Sequence, residues 1–190
     1  MIGFQKRLLA GAVASALWIG SGSAAFAQVS DHAAKLEELH ADLAEPGRED
    51  WPRVEAEIVR LWSQSGSPAM DLLLRRASEA MEAEDFDAAV EHLSALTDHA
   101  PGFAEGWHAR ATAFFFLGEY SLAMADLQRT LALNPRHFGA LEGLGAILEE
   151  MDRPELALRA LRAAEEINPN RPSLKDALAR LERSTGAAEL

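Results

Sequence analysis

Carboxylates and imidazoles are the side chains here best suited to proton transfer or metal binding, and their spacing argues against both. Glu149-Glu150 and Glu165-Glu166 are adjacent pairs. Sequence neighbours on a helix do not face each other, so neither pair can flank one reacting bond. They read as solvated faces. His92 and His99 are seven residues apart, and His32 and His40 are eight apart. A metal pair on one helical face wants i,i+4 spacing. No HExxH, glycine-rich phosphate loop or serine nucleophile elbow occurs. Cysteine is absent, which excludes disulfides, thiolate metal sites, Cys nucleophiles and a lipid anchor on an N-terminal Cys. The residues therefore predict no enzyme, no metal and no cofactor.

The elements that would carry any function are set by a period. Pro101, Pro135 and Pro169 lie 34 residues apart, as do Ala89, Ala123 and Ala157, and Leu93, Leu127 and Leu161. A fixed period of this size marks stacked helix hairpins. The units are 70–103, 104–137 and 138–171 within 69–171. Small residues at the eighth position (Ala77, Ala111, Gly145) and the twentieth let paired helices approach closely. Large residues at the fourth (Leu73, Trp107, Leu141), eleventh (Ala80, Phe114, Leu148) and twenty-fourth fill the space between units. The prolines follow each second helix, where a missing N–H does no harm. Asp85, Gly118-Glu119 and Asp152 mark the turns inside the pairs. The expected helices are 70–82, 86–98, 103–117, 120–133, 137–150 and 154–167. Gly143 and Gly145 cost a helix about 1 kcal/mol each relative to Ala. The close-approach column explains Gly145 but not Gly143.

These columns resemble the tetratricopeptide repeat family. The middle unit matches best, through Trp107, Tyr120, Ala123, Leu127 and Pro135, and departs at Arg110, where Leu is usual. The first unit departs likewise at Arg76, and the third has Pro154 where an aromatic is common. The resemblance implies an all-α, right-handed α-solenoid whose concave groove is lined by the first helix of each unit. It places Arg75 and Ser78 of the first unit, His108, Thr112, Phe115 and Phe116 of the second, and Glu142 and Ala146 of the third on that groove. Phe114-Phe115-Phe116 cannot all enter one seam. With Phe114 in the core column, Phe115 and Phe116 face the groove or its edge, beside Gly139, Gly143 and Ala146. Such an apolar floor suits a helix or extended peptide with a bulky anchor. The competing reading packs both rings against the neighbouring unit or the closing helix. Some family members grip a peptide's C-terminal carboxylate with Lys, Asn and Arg. The matching positions here are Leu74, Ser78, Ala109, Gly139 and Gly143, so acidic chaperone tails are not expected ligands.

Outside the repeats, residues 1–27 read as a secretory signal peptide. Lys6-Arg7 precedes an apolar run, Leu8–Ile19, and Ala25-Phe26-Ala27 forms a small-x-small cleavage site. The run is shorter than the roughly 20 residues needed to span a bilayer. The expectation is cleavage after Ala27, a periplasmic or secreted location, and no stable membrane insertion afterwards. Cleavage removes two of the 18 basic residues and none of the 30 acidic ones, leaving −14. That charge repels nucleic acid and anionic lipid and mildly favours basic partners, though acidity also serves solubility. Residues 28–68 read as a degenerate hairpin: Leu36, Leu39 and Leu43 on one helix, Val54, Ile58, Leu61 and Trp62 on the next, with Asp50 as its cap. It is expected to cover the first repeat, because a solenoid end would otherwise expose an apolar face. Residues 172–190 supply a closing helix with a Leu174, Leu178, Leu181 stripe and a frayed tail from Ser184. The function expected is a non-enzymatic scaffold holding a protein or peptide. The alternative is self-assembly into a homo-oligomer.

Overall fold

The computed structural model describes the backbone of residues 22–188 and the side chains of residues 31–186. The basic start and apolar run of the expected signal peptide, within residues 1–21, lie outside the described residues. Nine helices follow among those described: α1 Gly22–Leu43, α2 Trp51–Trp62, α3 Pro68–Glu82, α4 Phe86–His99, α5 Ala104–Phe116, α6 Tyr120–Leu133, α7 Phe138–Glu150, α8 Pro154–Ile167 and α9 Pro172–Ala188. No strand occurs among the described residues, and no helix there is long and apolar enough to cross a membrane.

Helices α3 to α8 form three antiparallel pairs, each packed on the next. Ala77, Ala89, Ala111, Ala123 and Ala157 are buried at the crossings, and Leu93, Leu127 and Leu161 fill the gaps between. Each fully buried Leu contributes about 1.5–3 kcal/mol relative to an exposed one. Gly145 lies where a Cβ would overlap the Leu161 side chain, so the close approach of α7 and α8 favours glycine and any larger residue would have to push Leu161 aside. At Gly143 a Cβ would meet Leu127 at an ordinary 3.5 Å.

The three internal turns repeat one geometry. Glu84, Gly118 and Asp152 have φ of 58°, 76° and 55°. After α3, Asp85 N–H donates to Ala80 C=O and Glu84 N–H to Met81 C=O. The same two bonds recur as Glu119 to Phe114 with Gly118 to Phe115, and as Arg153 to Leu148 with Asp152 to Glu149. This pairing closes the last helical turn when the residue beyond the cap is left-handed.

Arg110, which departs from the family's Leu, has a partner that explains it. It donates two bonds to Asp126 on α6, of 2.7 and 2.9 Å, and one of 3.0 Å to Thr97 on α4. Its guanidinium also lies over Trp107, 4.8 Å from the ring centre. A charged clasp thus ties three helices where the family uses an apolar contact.

The N-terminal pair departs from expectation in its seat. It is a helix hairpin, but it does not stack on α3 as a cover for the first repeat. Its stripe of Leu39, Leu43, Val54, Ile58 and Leu61 packs against Phe138, with Ile167 alongside. The hairpin runs along the edge made by the loops that join one repeat to the next. Polar contacts decide this. Asn170 accepts from Gly47 N–H at 2.8 Å and donates to the carbonyls of Leu43 and Glu45. Asn168 donates to Glu55 at 2.8 Å, and Arg171 bridges Glu55 and Glu142. One result is that α3 has Ala77 as its buried residue and leaves Leu72 exposed. Asp50 makes no side-chain cap to α2; it pairs with Arg48 and Arg53 instead.

At the other end, Leu174, Leu178 and Leu181 of α9 are buried against α8. The helix continues to Ala188 rather than fraying from Ser184. Ser184 and Thr185 return their hydroxyls to Leu181 C=O.

Candidate functional site: the groove of α3, α5 and α7

The first helices of the three pairs, α3, α5 and α7, line one face side by side. Between α5 and α7 lies a recess of about 150 Å³, bounded by His108, Thr112, Phe115, Phe116, Leu127, Gly139, Gly143 and Ala146. Between α3 and α5 lies a shallower one of about 320 Å³, with Ser78, Met81, Glu82, Glu105, His108 and Thr112 on its walls. His108 and Thr112 belong to both, so the two are continuous.

The triple-Phe run divides three ways. Phe114 and Phe115 are partly buried beside Ala111, Ala123 and Leu127. Phe115 also meets Tyr120 at 5.7 Å. Phe116 is 58% exposed and stacks at 5.0 Å on Phe86 of the preceding repeat. The ring thus packs on a neighbour and forms the groove lip as well. Gly143, which packing does not require, opens the recess floor.

Other sequence-read residues are placed differently. Arg75 is exposed and lines neither recess. Ser78 lines the shallower one, its hydroxyl bonded back to Leu74 C=O. Glu142 is drawn away from the groove by Arg171 at 2.7 Å. Burial raises its pKa, while Arg171 pulls the other way.

Sequence reading missed one cluster. Glu105, His108 and His137 place ligand-type atoms within 4.8 Å of one another. His137 Nε2 is 3.0 Å from Glu105, and His108 Nδ1 is 3.4 Å from it. The donor types suit a metal, but the hydrogen bonds do not. His137 Nδ1 accepts the Ala140 N–H at 3.1 Å and so caps α7. The proton of the neutral ring must then sit on Nε2 and point at Glu105. A cation on Nε2 would displace that proton and break the cap. Burial alone would raise the Glu105 pKa, yet the bonds from His108 and His137 outweigh it and hold the carboxyl at about 2. Burial also lowers His137, with Glu105 opposing. Trp62 of the hairpin covers the cluster, stacked on His137 at 4.5 Å. Glu105 and His137 are 32 residues apart, and the available signal was the period itself, which sets the last residue of the unit 104–137 beside that unit's own first turn.

Two helices per unit, three units in register and a groove on the first-helix side define a repeat scaffold. The tetratricopeptide repeat family model matches residues 74–124 and 108–172, and the chain belongs to that family. It is 35% identical over 136 residues to a TPR repeat-containing protein of Rhizobium etli, covering 71% of this chain and 67% of that one. It is 30% identical over 109 residues to human Superkiller complex protein 3, of which it spans 6%. Among solved structures it is similar to the first TPR of Spaghetti bound to the HSP90 peptide SRMEEVD. The TM-score there is 0.61 at 21% identity, over 63% of this chain and 95% of that one. MamA gives 0.59 at 20% identity, over 75% and 85%. These likenesses show the same solenoid fold.

Proposed function

We propose that this chain is a non-enzymatic adaptor that acts after export, in the periplasm or beyond, and holds a protein segment in the groove of α3, α5 and α7. One observation carries the reading. The α5–α7 recess is apolar, open and floored by Gly143, a residue that packing does not demand. A helix tolerates that glycine at a cost of about 1 kcal/mol, and the space it leaves accepts a bulky side chain. Peptide binding by a similar TPR domain, that of Spaghetti, supports the reading.

The test is a photo-crosslinker placed at Ala146 and, as a control, at Leu122, which is exposed on α6. Adducts expected at Ala146 should vanish in Phe116→Asp while the helical circular dichroism is kept. Equal labelling at both positions would refute the groove. Export is read separately: N-terminal sequencing of the protein from a periplasmic fraction should start at Gln28.

A further inference from the structure

The groove's walls carry a charge pattern that names the chemistry of its occupant. Helices α3, α5 and α7 hold seven carboxylates: Asp71, Glu79, Glu82, Glu105, Glu142, Glu149 and Glu150; of these Glu142 is taken by Arg171 and Glu149 by Arg180 of α9. They hold three arginines, and of these Arg110 is consumed by Asp126 on the far side of α5. Arg75 and Arg76 are exposed on α3. Neither recess has a Lys or Arg on its wall, while Glu82 and Glu105 face the shallower one. Glu82 is exposed at the rim. Glu105 receives hydrogen bonds from two imidazoles. An acidic segment entering here would meet like charge and no cation. A positive one would be steered in and held.

Resting on the groove reading, we infer that the bound segment is cationic: one bulky apolar side chain seats between α5 and α7, and Lys or Arg residues beside it lie against Glu82 and Glu105 toward α3. The continuity of the two recesses through His108 and Thr112 sets that order, because the apolar pocket and the carboxylates are neighbours along one path. The occupant is then opposite in charge to the SRMEEVD peptide seen with Spaghetti.

Fluorescence anisotropy on the purified chain tests this with three labelled twelve-residue probes. The first carries one Phe between pairs of Lys, the second replaces that Phe by Ala, and the third replaces the Lys by Glu. The first is expected to bind, with each of the others at least about tenfold weaker, roughly 1.4 kcal/mol. Added salt should weaken the first probe. Glu82→Lys should weaken it several-fold. Ala146→Trp should abolish it, with Phe116→Asp as a second groove variant and circular dichroism confirming the fold of both. Equal binding of the Phe and Ala probes would reduce the effect to bulk charge and overturn the inference. So would absence of binding by the first probe at about 1 mM. If the Glu probe binds better and Ala146→Trp abolishes that binding, the groove stands and its charge assignment falls. If the first probe binds Ala146→Trp and Phe116→Asp unchanged, the groove reading falls as well.

Discussion

The repeat array and the N-terminal hairpin are both built from antiparallel helices, yet they are held by different forces. In the array, alanines and one glycine let helices touch, and leucines fill what remains. Each contact recurs at the period of the sequence. The hairpin has its own leucine stripe, but its seat is chosen by Glu55, Asn168, Asn170 and Arg171, over separations of more than a hundred residues. Apolar burial makes a helix pair want a partner. Directional polar contacts say which partner.

Several substitutions separate the two. The largest effect belongs inside the array. Asp126→Ala leaves the partly buried Arg110 guanidinium without its two carboxylate bonds, at a cost of up to about 3 kcal/mol. Urea unfolding should show it, and a loss below about 1 kcal/mol would mean that the clasp is replaceable. Next, Arg171→Ala leaves Glu55 and Glu142 without their shared cation, at a cost of about 1.5–3 kcal/mol to docking. Proteolysis should then enter the 44–50 turn while the array's melting changes little. Simultaneous loss of both would show that hairpin and array fold as one unit.

Acidification should favour the same detachment. Burial, with Arg136 nearby, lowers His40 to about 4, Glu37 opposing; Trp62 lies against both His40 and His137. His137 is lowered too, amid Glu105 and His108. Both imidazoles are therefore kept neutral when docked and take up protons more readily when released. Stability from them is present above pH 6.5 and is lost as pH falls from there toward about 4. Glu142, raised by burial, works in the opposite sense and at lower pH. Protection of the α1 and α2 amides, measured against their intrinsic exchange rate at each pH, should fall between pH 6.5 and 5 before that of α4 or α6. Protection that does not change over this range would remove the histidines from the latch.

Two neighbouring glycines give the finer contrast. Gly145→Ala drives a methyl into Leu161 and should cost about 1–3 kcal/mol. Gly143→Ala should stabilise by up to about 1 kcal/mol while shrinking the recess, so thermal stability should rise as peptide affinity falls. The smallest expected effect is at the turns. Glu84→Gly and Asp152→Gly place glycine where φ is positive, and each should gain less than about 1 kcal/mol. A loss at either would show that the side chain makes a contact worth more than the strain.

Much of the fold was legible because the same steric demand recurs three times. Ala89, Ala123 and Ala157 report one crossing, and Gly118 flags the turn that Glu84 and Asp152 share without glycine. Within the groove, the family resemblance put Phe115, Phe116, His108, Thr112 and Ala146 on the first-helix face, and these five line the recess between α5 and α7. Glu142 was placed there too, but periodicity carries no record of Arg171, which arrives from the α8–α9 loop and draws its carboxylate aside. The Glu105–His108–His137 cluster was hidden for a similar reason, since it joins the two ends of one repeat unit under a tryptophan from outside the array.

The sequence by itself determined the helix pairs, their turns and the order in which they stack. Those depend on contacts repeated at a constant interval, and such an interval is visible in one dimension. Only the tertiary structure decided where the hairpin sits, which groove carboxylates stay unclasped and how His137 is protonated. Each of these turns on a single hydrogen bond or ion pair between distant residues, and such a contact leaves no period to read.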